Sequence, residues 1–180
     1  MDRTLKKLLL HICCAPDATV VVERLRSEFD ITGFFYNPNI HPEQEYALRA
    51  EEMKRLAFKM AFPLEVGPYD VEQWYSLTKG LEEVPEGGDR CRICFQMRLE
   101  KTAKLAATQK FDFFTTVLTV SPHKNAALVN QLGQAIAREY KVSFLESNFK
   151  KKDGFKRSIE LSKIYNLYRQ DYCGCTYSVR

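Results

Sequence analysis

The sequence predicts an α/β fold: a single three-layer domain with a mostly parallel five-stranded sheet and a Cys-bearing C-terminal tail. Three observations lead there. Short β-branched and aromatic runs alternate with segments whose apolar residues recur at helical spacing, and that alternation calls for parallel strands joined by right-handed crossovers. A chain of 180 residues that is 45% hydrophobic also buries roughly 70% of its unfolded surface without covalent staples. No internal repeat, low-complexity tract or linker divides residues 1–180, so one domain is expected.

The first strand is read from Leu5 to Cys13, an apolar run after a basic start, with a turn at Ala15-Pro16-Asp17 and a helix from Asp17 to Phe29. Ile31 to Tyr36 reads as a second strand, stopped by Asn37-Pro38-Asn39. Pro42 to Ala61 has the strongest helix signals, with Glu43 and Glu45 in its first turn and Lys54, Arg55 and Lys59 near its end. Pro63 to Val66 is a short third strand and Tyr69 to Lys79 a short helix, followed by an acidic, Gly-rich loop from Gly80 to Gly88. Asp89 is read as the cap of a helix running through Arg90 to about Thr108. Phe113 to Thr119 is the fourth strand, Asn125 to Tyr140 a helix, Val142 to Leu145 the fifth strand and Phe155 to Arg169 the last helix. The expected arrangement is Rossmann-like, with strand order 3-2-1-4-5. In such sheets ligands bind beyond the strand carboxyl ends where the order reverses, between strands one and four. Cys13-Cys14 and Ser121-Pro122-His123 follow those two strands, so both belong beside one crevice.

Six Cys in a domain that needs no disulfides is the compositional anomaly. The run Leu8-Leu9-Leu10 ends at His11 without a signal-type cleavage site, and no stretch approaches the roughly 18 apolar residues of a membrane span. The expectation is a cytoplasmic protein without a membrane partner, where clustered Cys serve as metal ligands or redox catalysts. A formal charge of +4 does not by itself establish a nucleic-acid partner.

The Cys fall into three pairs: Cys13-Cys14, Cys91-x-x-Cys94 and Cys173-Gly174-Cys175. A C-x-x-C at a helix start places two thiolates on one side of a turn, where amide groups and the helix dipole favour negative sulfur. Four such thiolates suit structural zinc or an iron–sulfur cluster, and ligand count does not separate them. The position of Cys13-Cys14 where active sites of this architecture lie favours iron–sulfur. Cys173 and Cys175 sit on what reads as a flexible tail. A disulfide across one residue is strained and so readily reduced, which suits a pair that cycles; the alternative is that both, with Cys13 or Asp17, ligate a second metal.

Asp17 either faces the cluster or caps the helix. Tyr36, Asn37, Asn39 and His41 offer stacking and hydrogen-bonding groups suited to a nucleobase, or else simply form a Pro-fixed connection. His123 with Lys124 can donate protons or bind phosphate, against an ordinary cap region. Phe149 to Arg157, including Lys150, Lys151 and Lys152, is the densest basic stretch and carries two aromatics, as expected of a loop meeting RNA backbone. A solvated surface loop is its ordinary meaning.

The ordered set His11-Ile12-Cys13-Cys14-Ala15-Pro16-Asp17, Tyr36 to Pro42, Cys91-Arg92-Ile93-Cys94, Ser121-Pro122-His123-Lys124 and Asp171-Tyr172-Cys173-Gly174-Cys175 resembles the cobalamin-independent epoxyqueuosine reductases across nearly the whole chain. The resemblance implies an oxidoreductase acting on tRNA that bears epoxyqueuosine at the anticodon wobble position. It would reduce the epoxide to the cyclopentene of queuosine with loss of water. It also implies that Cys13, Cys14, Cys91 and Cys94 hold a [4Fe-4S] cluster, that Cys173 and Cys175 are redox-active or ligate an adjacent mononuclear iron, and that an external electron donor takes part. Cobalamin is not expected. Nor is ATP, since Cys13 to Asp17 stand where related nucleotide-binding folds carry a Gly-rich phosphate loop. The reading carried beside it is a zinc-stabilised RNA-binding module without redox turnover.

Overall fold

The computed structural model describes residues 4–179; Met1, Asp2, Arg3 and Arg180 lie outside the described residues. The elements are β1 (Lys6–Ile12), α1 (Ala15–Leu25), β2 (Phe29–Phe35), α2 (Glu43–Met60), β3 (Leu64–Val66), α3 (Val71–Thr78), α4 (Asp89–Thr108), β4 (Phe113–Thr116), α5 (Ala126–Tyr140), β5 (Ser143–Phe144) and α6 (Gly154–Ile164). The sheet order is β3-β2-β1-β4-β5, and all four pairings are parallel. Helix α1 packs with α2 and α6, while α4 packs with α3 and α5. The sheet is thus sandwiched as doubly wound topology requires.

β1 is the central strand because Leu8, Leu9, Leu10 and Ile12 are apolar on both faces, and all four are fully buried. A strand covered on both sides reads as a continuous hydrophobic run rather than an alternating one. Gly33 lies in the neighbouring strand, opposite Leu10. A Cβ there would come within 2.9 Å of Ile12 Cδ1 and 3.0 Å of Leu64 Cδ1 and Phe62 Cε2, so the side chains of β1, β3 and the connection before β3 would have to shift to admit one.

Several boundaries differ from the sequence reading. β4 stops at Thr116, and Val117–Val120 form a 3-10 turn instead of extending the strand. The Thr116 side chain accepts the Leu118 amide at 3.1 Å and so captures the backbone for the turn, overriding the β-branched propensity of Val117 and Thr119. Helix α1 begins two residues early, at Ala15, with Cys14 in the N-cap position and Pro16 in the first turn. The expected Asp89 cap is corrected: Gly88 occupies the N-cap, Asp89 is the first helical residue, and no side chain caps the end. Helix α6 ends at Ile164, five residues before Arg169, where Asn166 takes a left-handed conformation.

The C-terminal tail is not loose. His41 N donates to Gly174 O at 2.7 Å, and Arg49 donates to Cys173 O at 2.9 Å and Tyr172 O at 3.2 Å. The Tyr172 hydroxyl donates to His41 O. Gly174, at φ +126°, presses against Ile40 in a conformation open to glycine alone. Local sequence suggested a mobile end because these anchors come from residues more than 120 positions away.

Candidate sulfur-lined active site

The strand carboxyl ends deliver the Cys pairs to one place. Cys13 and Cys14 follow β1 directly and open α1. Their sulfurs are 3.9 Å apart, and together with the Asp17 carboxylate they form a group whose ligand atoms all lie within 4.8 Å of one another. Once Cys13 is ionised it can only accept across this contact, so the Cys14 thiol stabilises its thiolate and lowers its pKa to about 7, while the same bond and burial push Cys14 well up. Burial raises the Asp17 pKa against the pull of Lys124 and Arg169.

Cys91 and Cys94 occupy the first turns of α4, where the Gly87 amide already donates to Cys91 Sγ at 3.2 Å. Burial raises the Cys94 thiol to about 11, with Arg98 opposing. These two do not join the tight group around Cys13. They line an adjoining cavity with Cys173 and Cys175, and Cys173 also faces the cavity that holds Cys13 and Asp17. All six are free thiols. A lone ion would draw on the tight group, whereas a multi-iron cluster is wider than one ion and suits thiols divided between two helix N-termini. Soft thiolates, helix-start amides and nearby cations together fit a sulfur-ligated metal group.

The cavity holding Cys13 has a volume of about 160 Å³ and is also lined by His123, Lys124, Phe155, Arg169 and Tyr172. His123 is exposed at its rim. Lys124 is the more intimate neighbour: burial disfavours its ammonium, yet the negative forms of Cys173, Cys13 and Asp17 outweigh that and raise its pKa. Its own carbonyl accepts from Lys150 Nζ at 2.7 Å, which ties the expected RNA-binding stretch to the cavity wall. Lys151 and Lys152 are exposed, and their carbonyls accept from Arg24 at 3.2 and 2.9 Å.

Tyr36, Asn37, Asn39 and His41 are all buried. Tyr36 donates to Asp70 at 2.8 Å and Asn37 to Ile12 O at 2.8 Å. His41 Nε2 donates to Pro38 O at 3.1 Å while Nδ1 accepts the Thr176 amide at 3.2 Å, so a neutral ring locks the tail beside Cys175. These side chains spend their polar atoms on the site's walls; Asn39 reaches the cavity of Cys91 and Cys94, and its Oδ1 has no partner among the described residues.

Arg49 and Arg98 are among the site residues that the sequence reading passed over. Arg49 anchors the tail, and Arg98 lines both cavities. Arg98 stands four residues after Cys94 and seven after Cys91, the spacing of one helical face, so its placement was legible once the C-x-x-C was put on a helix. Arg49 carried no such signal.

A family model described as epoxyqueuosine reductase QueH matches residues 8–180. The chain belongs to this family. Relatives include the epoxyqueuosine reductase QueH of Streptococcus pyogenes, 42% identical over 96% of this chain and 70% of its own. Those of Histophilus somni and Thermotoga maritima are 44% and 37% identical, over 97% and 96% of this chain and 72% and 90% of theirs. Among solved structures, the fold is similar to the U34-tRNA thiolase NcsA of Methanococcus maripaludis with its [4Fe-4S] cluster, at TM-score 0.61 and 12% identity, covering 98% of this chain and 63% of that one. It is also similar to a predicted tRNA methyltransferase subunit from Methanocaldococcus jannaschii, at TM-score 0.55 and 12% identity over 86% of this chain and 75% of the other.

Proposed function

We propose that this QueH-family chain reduces epoxyqueuosine in tRNA to queuosine. The observation that carries the reading is a family member whose sheet switch point is lined by sulfur where nucleotide-binding relatives would hold phosphate. The reaction consumes two electrons and two protons: the two epoxide C–O bonds break, a C=C bond forms and the oxygen leaves as water. Relatives that bear the same reductase name favour turnover over the zinc-stabilised binding module.

Cys13, Cys14, Cys91 and Cys94 would hold a [4Fe-4S] cluster, which would supply electrons one at a time. Cys173 and Cys175 supply a dithiol: two S–H bonds become one S–S bond, releasing the two electrons and two protons the epoxide takes up. The position of Cys173 on the same cavity as Cys13 and Asp17 supports the second assignment, in which the tail pair and Asp17 hold an adjacent iron. Lys124 holds a proton at Nζ beside the cavity into which the oxygen leaves; Asp17, whose pKa burial raises, shares that proton transfer in the dithiol assignment and leaves it to Lys124 in the iron assignment, with His123 at the rim. Lys150, Lys151 and Lys152 meet tRNA phosphates near the mouth, and the modified base leaves the anticodon stack to enter. The walls built by Tyr36, Asn37, Asn39 and His41 hold that entrance in shape. No helix among the described residues is long and apolar enough to cross a membrane, which is consistent with a cytoplasmic setting. The electron donor is external to the chain.

Anaerobic purification with iron and sulfide analysis, followed by incubation with tRNA carrying epoxyqueuosine and a chemical reductant, tests the proposal. Iron, acid-labile sulfide and the cyclopentene product are expected. Stoichiometric zinc without iron, or unchanged epoxide, would refute it.

A further inference from the structure

Arg98 is 1% exposed, and its guanidinium is only partly satisfied. Nε donates to Cys94 O at 3.3 Å and Nη1 to Asn37 Oδ1 at 3.4 Å, both long bonds. Nη2 has no partner among the described residues. A buried cation with an unused donor is costly unless something accepts from it and balances its charge. Around it stand Cys side chains on two sides, with the carboxylates of Asp17 and Glu86 on the same cavity walls. Arg98 lines the cavity of Cys13 and Cys173 and also the one of Cys91, Cys94 and Cys175. Of the other cations, Lys124 and Arg169 line the cavity of Cys13 and Arg90 lines that of Cys91 and Cys94, whereas Arg98 lines both. The Phe95 ring, 5.6 Å from the guanidinium carbon, shields it on one side.

We propose that Arg98 is a positioning and potential-setting residue for the sulfur-ligated group: its unused Nη2–H donates to a sulfur of that group, and its charge raises the group's reduction potential. This rests on the iron–sulfur assignment above. Hydrogen bonds to sulfur and net charge are the protein's levers on such potentials. A buried cation stabilises the more negative, reduced form.

The test compares anaerobically purified wild type with Arg98→Met, Arg98→Gln and Arg98→Lys, measuring iron per chain, thermal midpoint and the potential by spectroelectrochemical titration. Arg98→Met and Arg98→Gln should retain iron and lose tenfold or more of the reduced form at a fixed poise, about 59 mV for a one-electron couple. Arg98→Lys keeps the charge and should recover most of that loss. A folded, iron-loaded Arg98→Gln with the wild-type potential overturns the proposal, as does failure of both uncharged variants to fold, which would make Arg98 a structural residue. A wild type without iron and sulfide would instead defeat the cofactor assignment itself, so the two failures are distinguishable.

Discussion

Two arginines clasp two segments that follow β5, with opposite consequences. Arg49, on α2, is 2% exposed; it donates to the Cys173 and Tyr172 carbonyls, pairs with Glu45 at 2.7 Å and faces the Tyr172 ring. Arg24, on α1, is half-buried and donates to the carbonyls of Phe149, Lys151 and Lys152. The donors and acceptors are of the same kind, but the surroundings differ. In the dry site an unmade bond costs its full desolvation, whereas at the surface water substitutes. The buried clasp therefore sets where the tail thiols stand, and the exposed one tidies a loop whose side chains remain free for a partner.

The sharpest break of this contrast is at the clasped thiols themselves. Cys91→Ala should remove both iron and turnover, whereas Cys175→Ala should abolish turnover yet keep wild-type iron and sulfide if the tail pair is a dithiol. Iron loss in Cys175→Ala would transfer the tail to the metal ligands. Next, Arg49→Ala removes the donor to two carbonyls and leaves Glu45 to the Tyr168 hydroxyl; it should cost about 2–3 kcal/mol in urea unfolding, with turnover falling on the order of a hundredfold because Cys173 is displaced. A loss below about 1 kcal/mol would show that the tail needs no clasp. Arg24→Ala, by contrast, should cost about 1 kcal/mol and leave epoxide reduction within a factor of about two, since its carbonyls turn to water.

The exposed segment has its own test. Lys151→Ala with Lys152→Ala should weaken tRNA binding and reduce the magnitude of the log–log salt slope by roughly 1–2; affinities that match wild type at every salt concentration would move the RNA surface elsewhere. Lys150 is left intact because its ammonium supports the Lys124 carbonyl. The smallest effect concerns Glu23, which accepts from Arg157 at 2.7 Å beside the same loop. That hydrogen bond, outweighing a burial penalty, lowers the Glu23 pKa in the folded state. The link is present above the unfolded carboxylate value and is lost as pH falls through the lower folded one. Glu23→Gln should flatten this part of the acid limb of the stability profile by a small amount, since the pair is exposed.

Much of the fold was legible locally. The continuous apolar run before Cys13 marked a strand buried on both faces, and the alternation of elements marked a parallel sheet; the order 3-2-1-4-5, expected by analogy with Rossmann-like sheets, is the one the structure shows. Boundaries were less legible where a side chain competed for backbone groups, as Thr116 does after β4. For the site, residue type and topology brought Cys13, Cys14 and His123 to one crevice. The division of labour among polar residues was not legible: Tyr36, Asn37 and His41 look like ligand-binding groups in isolation, and only their partners show them bonded within the wall.

The sequence by itself determined the period of each element, the strand order those elements permit and the supply of soft ligands, because these depend on residue type and near neighbours. Tertiary structure decided how tightly the tail is held, which cation stands among the sulfurs and which basic residues remain exposed. Those outcomes depend on long-range contacts such as Arg49 with Cys173 and on burial, which changes what a charge or an unpaired donor costs.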